Sequence, residues 1–193
     1  IERIAASPDP SLAEDARPRD LLEGVSEDWI REHHEEHAAW SDPAALGRPN
    51  YRTQTNAGYE VLVRTAEAME QMNAFYRIFF RYGAEGDKRS VSRIDVNIFK
   101  TRDEYTKDPN DWSGGHFTGS AVETYIGPGG FEAMTGTLFH EAAHQFVSLA
   151  TNASGWLNEG LASFFEGPRI LSNGTVLMNL PATHRLFPLV ERM

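Results

Sequence analysis

Apolar residues recur at Val61, Leu62, Ala66, Met69, Met72, Phe75, Phe79 and Phe80, close to the 3.6-residue period. This predicts a long helix over residues 59–82, stopped by Gly83. A second helical pattern covers residues 26–40, with Ser26 as N-cap, Glu27 and Asp28 in the first turn, and Ser41-Asp42-Pro43 as its end. From 91 to 99 the period changes to two. Ser92, Ile94, Val96 and Ile98 alternate with Val91, Arg93, Asp95 and Asn97, and the first set is largely apolar, which predicts a strand with one buried face. Residues 51–55 and 121–126 read as further strands, 101–107 as a short helix, and 112–120, with Gly114, Gly115 and Gly119, as a loop feeding the strand at 121.

Gly127-Pro128-Gly129-Gly130 breaks the chain. A helix then runs to about residue 150, a turn covers 151–155, and a second helix spans 156–166. Residues 169–178 suit a hairpin around Asn173-Gly174, and 183–193 begin another helix. Residues 1–20, with Pro8, Pro10 and Pro18, have no periodicity. Helices, then a few strands, then helices again predict an α+β fold. The expected organisation is an N-terminal arm and helix over 1–49 and one globular domain over 50–193.

The chain has 193 residues, a formal charge of −10 and no cysteine. The negative charge argues against a grip on nucleic acid, which rests on clustered Lys and Arg. No run of about 18 apolar residues is present to span a bilayer. Without cysteine there is no thiolate chemistry, and any metal must sit on His, Asp or Glu. The same absence fits a bacterial cell-envelope or secreted protein. The chain opens on Ile1, as it would after removal of a leader or a preceding domain.

The helix ending near 150 contains His140-Glu141-Ala142-Ala143-His144. Positions i and i+4 share a helix face, so two imidazoles can reach one tetrahedral ion. Leu138, Phe139, Ala142, Ala143, Phe146, Val147 and Leu149 make the other surfaces apolar, and unpaired histidines there would be costly. The following helix opens Trp156-Leu157-Asn158-Glu159-Gly160-Leu161-Ala162. Six residues up from His144, a turn, and three or four residues back at about 1.5 Å each return Glu159 to the level of His144. Two imidazoles, one carboxylate and an open position form a catalytic zinc site. A second pair, His33 and His37, has the same spacing, but lies among Arg31, Glu32, Glu35 and Glu36 and reads as a solvated face.

His140-Glu141-x-x-His144, followed by the run from Trp156 to Glu166, resembles the gluzincin metallopeptidases, the clan of thermolysin and aminopeptidase N, and within it the bacterial peptidase-MA-like domains. The resemblance is specific over residues 136–167, extends more weakly from 50 onward, and does not cover 1–49. It implies a zincin-like fold, in which a small mixed sheet lies beside the His-Glu-x-x-His helix and the next helix carries the glutamate ligand. It also implies Zn2+ on His140, His144 and Glu159, with Glu141 as general base, Glu166 behind the ligands and a peptide or protein substrate. Two departures stand out. The gap from His144 to Glu159 is shorter than in the familiar aminopeptidases. Ser120-Ala121-Val122-Glu123-Thr124 replaces their Gly-Ala-Met-Glu-Asn exopeptidase motif, which argues against aminopeptidase activity. Tyr125, His116 and His184 are the candidates for stabilising the oxyanion, and spacing does not choose among them. The strand at 121–126 is expected to be the edge that pairs with an extended substrate. The alternative to a peptidase is an inactive zincin-fold binding or structural module that keeps the metal.

Overall fold

The computed structural model describes residues 26–83, 89–108, 110, 111, 113–171, 174–178 and 180. The helix expected at 183–193 and the arm at 1–20 lie outside them. In chain order the elements are α1 (Glu27–Glu36), β1 (Ala44–Gly47), β2 (Tyr51–Thr55), α2 (Tyr59–Phe79), β3 (Ile94–Phe99), α3 (Arg102–Tyr105), β4 (Gly115–Phe117), β5 (Ala121–Tyr125), α4 (Gly130–Ala150), α5 (Gly155–Phe164), β6 (Arg169–Ile170) and β7 (Val176–Leu177). The fold is α+β.

Five strands form one mixed sheet in the order β1-β2-β3-β5-β4. The central pairs β2–β3 and β3–β5 are parallel, and the outer strands β1 and β4 run antiparallel to their neighbours. Strand alternation then divides the side chains. Tyr51, Thr53, Thr55, Ile94, Val96, Ile98, Val122 and Thr124 are buried on one face. That face packs on α2 and α4 through Met69, Met72, Tyr76, Leu138, Phe139 and Ala142, all but closed to solvent. The alternation read from the sequence at 92–98 matches the buried set Ile94, Val96 and Ile98.

Three expectations need correction. The strand 121–126 is not an edge, because β5 pairs with β3 on one side and β4 on the other. The edge is β4, within the stretch read as a loop. Its three residues are too few to show a period, and Gly114-Gly115 hides it. Residue 50 is not a boundary of the sheet either, since Ala44–Gly47 pairs with Arg52–Thr55 across it. Finally, α2 ends at Phe79, and Arg81 follows with a φ of 52°, so the chain turns before Gly83.

Among the described residues, no helix is long and apolar enough to cross a membrane.

Candidate metal centre

Helix α4 is held on nearly every side. Met134, Leu138, Phe139, Ala142, Ala143, Phe146 and Val147 are buried, and the Tyr76 hydroxyl from α2 donates to the Phe139 carbonyl at 2.5 Å, one residue before His140. His140 and His144 therefore leave a fixed scaffold on one face, with ring centroids 4.9 Å apart. Glu141 completes a group whose potential ligand atoms lie within 4.8 Å of one another, and this group is able to hold a metal ion.

After the turn at 151–154, α5 brings Glu159 back to the same point. His140 Nε2 lies 3.3 Å from Glu159 Oε2, and His144 Nε2 lies 3.6 Å from Glu159 Oε1. Two ligands each about 2.0–2.1 Å from a tetrahedral zinc are roughly 3.3 Å apart, so the Glu159 carboxylate stands from each ring nitrogen at close to the separation that two ligands of one ion have. Each far nitrogen faces an oxygen. His140 Nδ1 is 3.0 Å from Glu166 Oε1, and His144 Nδ1 is 3.0 Å from Asn158 Oδ1. The Asn158 oxygen keeps a proton at His144 Nδ1 and turns that ring's Nε2 lone pair toward the ion, while Glu166 acts on His140 as a buried charge. The donor set fits zinc. Glu166 is almost fully buried, whereas Glu159 is 63% exposed.

The electrostatics follow from this crowding. Burial works to lower the His140 pKa, but the Glu166 contact and the charges of Glu141 and Glu159 outweigh it, so the net shift is upward. Burial also raises Glu141, against the opposing pull of His140 and His144.

Strand β4 closes over the group. A Cβ on Gly115 would lie 2.7 Å from Thr137 Cγ2 and 3.1 Å from Glu141 Cγ, so only glycine allows this approach. His116, next along, points to the other face of the sheet. Its Nδ1 meets the Tyr105 hydroxyl, its Nε2 is 3.2 Å from Ser113 Oγ, and Ser113 Oγ donates to Asp111 at 2.6 Å. Tyr125 shares that second face, where Arg102 Nη1 donates to its hydroxyl at 3.5 Å and the Tyr105 ring lies 5.3 Å away. The structure thus brings together His140, Glu141, His144, Glu159 and Glu166, and does not bring Tyr125 to them. His184 lies outside the described residues. Of the pair His33 and His37, His37 Nδ1 lies 3.1 Å from the Asp42 backbone carbonyl.

Sequence reasoning passed over Asn158, although it stands in the quoted run beside Glu159, and over Gly115. Comparison with protein-family models and with curated proteins gives no match.

Proposed function

We propose that this chain is a zinc-dependent peptidase of the gluzincin type, with a zincin-like fold. The observation that carries this reading is the convergence of His140 Nε2, His144 Nε2 and both Glu159 oxygens, with an oxygen facing the other nitrogen of each ring. A small mixed sheet beside a His-Glu-x-x-His helix, followed by a glutamate-bearing helix, is the layout the resemblance implies.

His140, His144 and Glu159 would hold the ion. When bound, it supplies Lewis-acid polarisation of water and of the substrate carbonyl. Glu141, on the same helix and under Gly115, takes a proton from water on its carboxylate and passes it to the leaving amine. Burial raises its pKa toward the range in which one carboxyl can do both. The free edge of β4 takes an extended substrate by main-chain pairing.

The second reading, a metal-holding module without turnover, gains from the position of Tyr125 on the opposite face of the sheet. The two separate by experiment. Glu141→Gln should keep one zinc per chain by elemental analysis and abolish cleavage of a peptide library, while His144→Ala should lose both. Purified protein that takes up no zinc would end both readings, and zinc without any cleavage would leave the module.

A further inference from the structure

A single lateral row crosses the second face of the sheet and runs out at its free edge. Gln54 pairs in register with Asn97, Asn97 with Glu123, and Glu123 with His116. Side chains link it: Gln54 Nε2 donates to Asn97 Oδ1 at 3.1 Å, and Asn97 Nδ2 donates to Glu123 Oε1 at 3.0 Å. The row ends at His116, with no further strand beside it among the described residues.

The backbone there is prepared for one more strand. Thr118 N–H donates to the Ala121 carbonyl at 2.9 Å, and bonded pairs alternate in an antiparallel ladder, so Thr118 and His116 point inward. Gly115 and Phe117 then present their N–H and C=O groups outward. A strand added at this edge sets alternate side chains on opposite faces. One set lies toward Thr137 and Glu141, past the missing side chain of Gly115, and the other lies beside His116.

That second corner carries two carboxylates, Asp111 and Glu123, with the Arg102 guanidinium farther off against Tyr125. The Tyr105 hydroxyl, which touches His116, is pushed up to about 12, first by burial and then by the charges of Asp111, Glu141 and Glu123. Asp111 is tied to the spot by Ser113, whose N–H and Oγ–H both donate to its Oδ1. An apolar side chain set here would cover the polar end of the row without replacing its bonds to water, and an acidic one would add a like charge.

We propose that His116, with Asp111 and Glu123, forms a specificity subsite that selects a basic side chain on an extended polypeptide paired with β4. This rests on the peptidase reading for its occupant. The test uses the full chain kept metal-free with chelator, so that nothing is cleaved, and fluorescein-labelled Thr-rich octapeptides bearing Lys, Gln or Glu at one central position. Anisotropy should show the Lys peptide binding about tenfold tighter than the Glu peptide, the gap shrinking to threefold or less in Asp111→Asn/Glu123→Gln. Equal binding of all three peptides, or a gap unchanged in the double variant, overturns the subsite and leaves strand pairing intact. No binding by any peptide removes the subsite and the peptide substrate together.

Discussion

Helices α4 and α5 supply opposite halves of the proposed ligand set and are built in opposite ways. α4 buries eleven of its residues, from Met134 to Val147. In α5 only Ala162 is buried, while Trp156 is 77% exposed and Leu157 and Phe164 more than a third exposed. The two imidazoles are therefore placed by the core, and the Glu159 carboxylate by a short helix that packs on α4 but buries only Ala162. Its firmest anchor is just past its end, where Phe165 packs at 5.0 Å against Tyr76 and 6.2 Å against Phe75. The histidine half is preorganised by packing, and on the proposed reading the carboxylate half would be organised by the ion. A site divided this way would load metal without carrying all of its charge in the interior beforehand.

The largest effects should break the division outright. His140→Ala and His144→Ala should each lose stoichiometric zinc, whereas Glu159→Ala should keep weakened binding, because two fixed imidazoles remain. Titration with a chromophoric chelator distinguishes these outcomes, and equal loss in all three would deny the asymmetry. Saturating zinc at about a thousand times Kd should add roughly 4 kcal/mol of stability. Hydrogen exchange should place most of the gained protection in residues 155–164 and little in 134–147.

Packing alone gives the next contrast. Leu138→Ala on α4, at a fully buried site, should cost about 2–5 kcal/mol in denaturant melts, and Leu157→Ala on α5, 37% exposed, within about 0.5 kcal/mol. Comparable costs would mean that α5 is held as firmly as α4. Smaller again is the contact behind one ring: Asn158→Ala removes the acceptor at His144 Nδ1 and should weaken zinc affinity about 10–100-fold with little change in the metal-free melt.

The same asymmetry decides what could be read from the sequence. The meeting of His140, His144 and Glu159 in space was legible because helical periodicity fixes which residues share a face, and a turn of known length fixes the return. Ile94, Val96 and Ile98 were legible for the equivalent reason in a strand. Ala44–Gly47 and Gly115–Phe117 were not, because four and three residues show no period and outer strands need no continuous apolar run. Tyr125 falls on the sheet face away from the histidines through one step of alternation. Thr124 faces the helices, so Tyr125 faces away, and that is settled by the partner strand rather than by local sequence.

The smallest effect concerns the one carboxylate that α4 does carry inside. Burial raises the Glu141 pKa above its value in the unfolded chain. Below the unfolded value, about 4.3, the group is protonated in both states and costs nothing. As pH rises from there through the raised folded value, the unfolded state gives up its proton first, and stability is lost until both forms are ionised. In metal-free protein, Glu141→Gln should therefore melt with wild type near pH 4 and above it at pH 7, the gap opening between. Melting curves at the two pH values check the sign. A Glu141→Gln variant less stable than wild type at pH 7 would mean that the charge of Glu141 is matched by the histidines rather than borne by the packed helix.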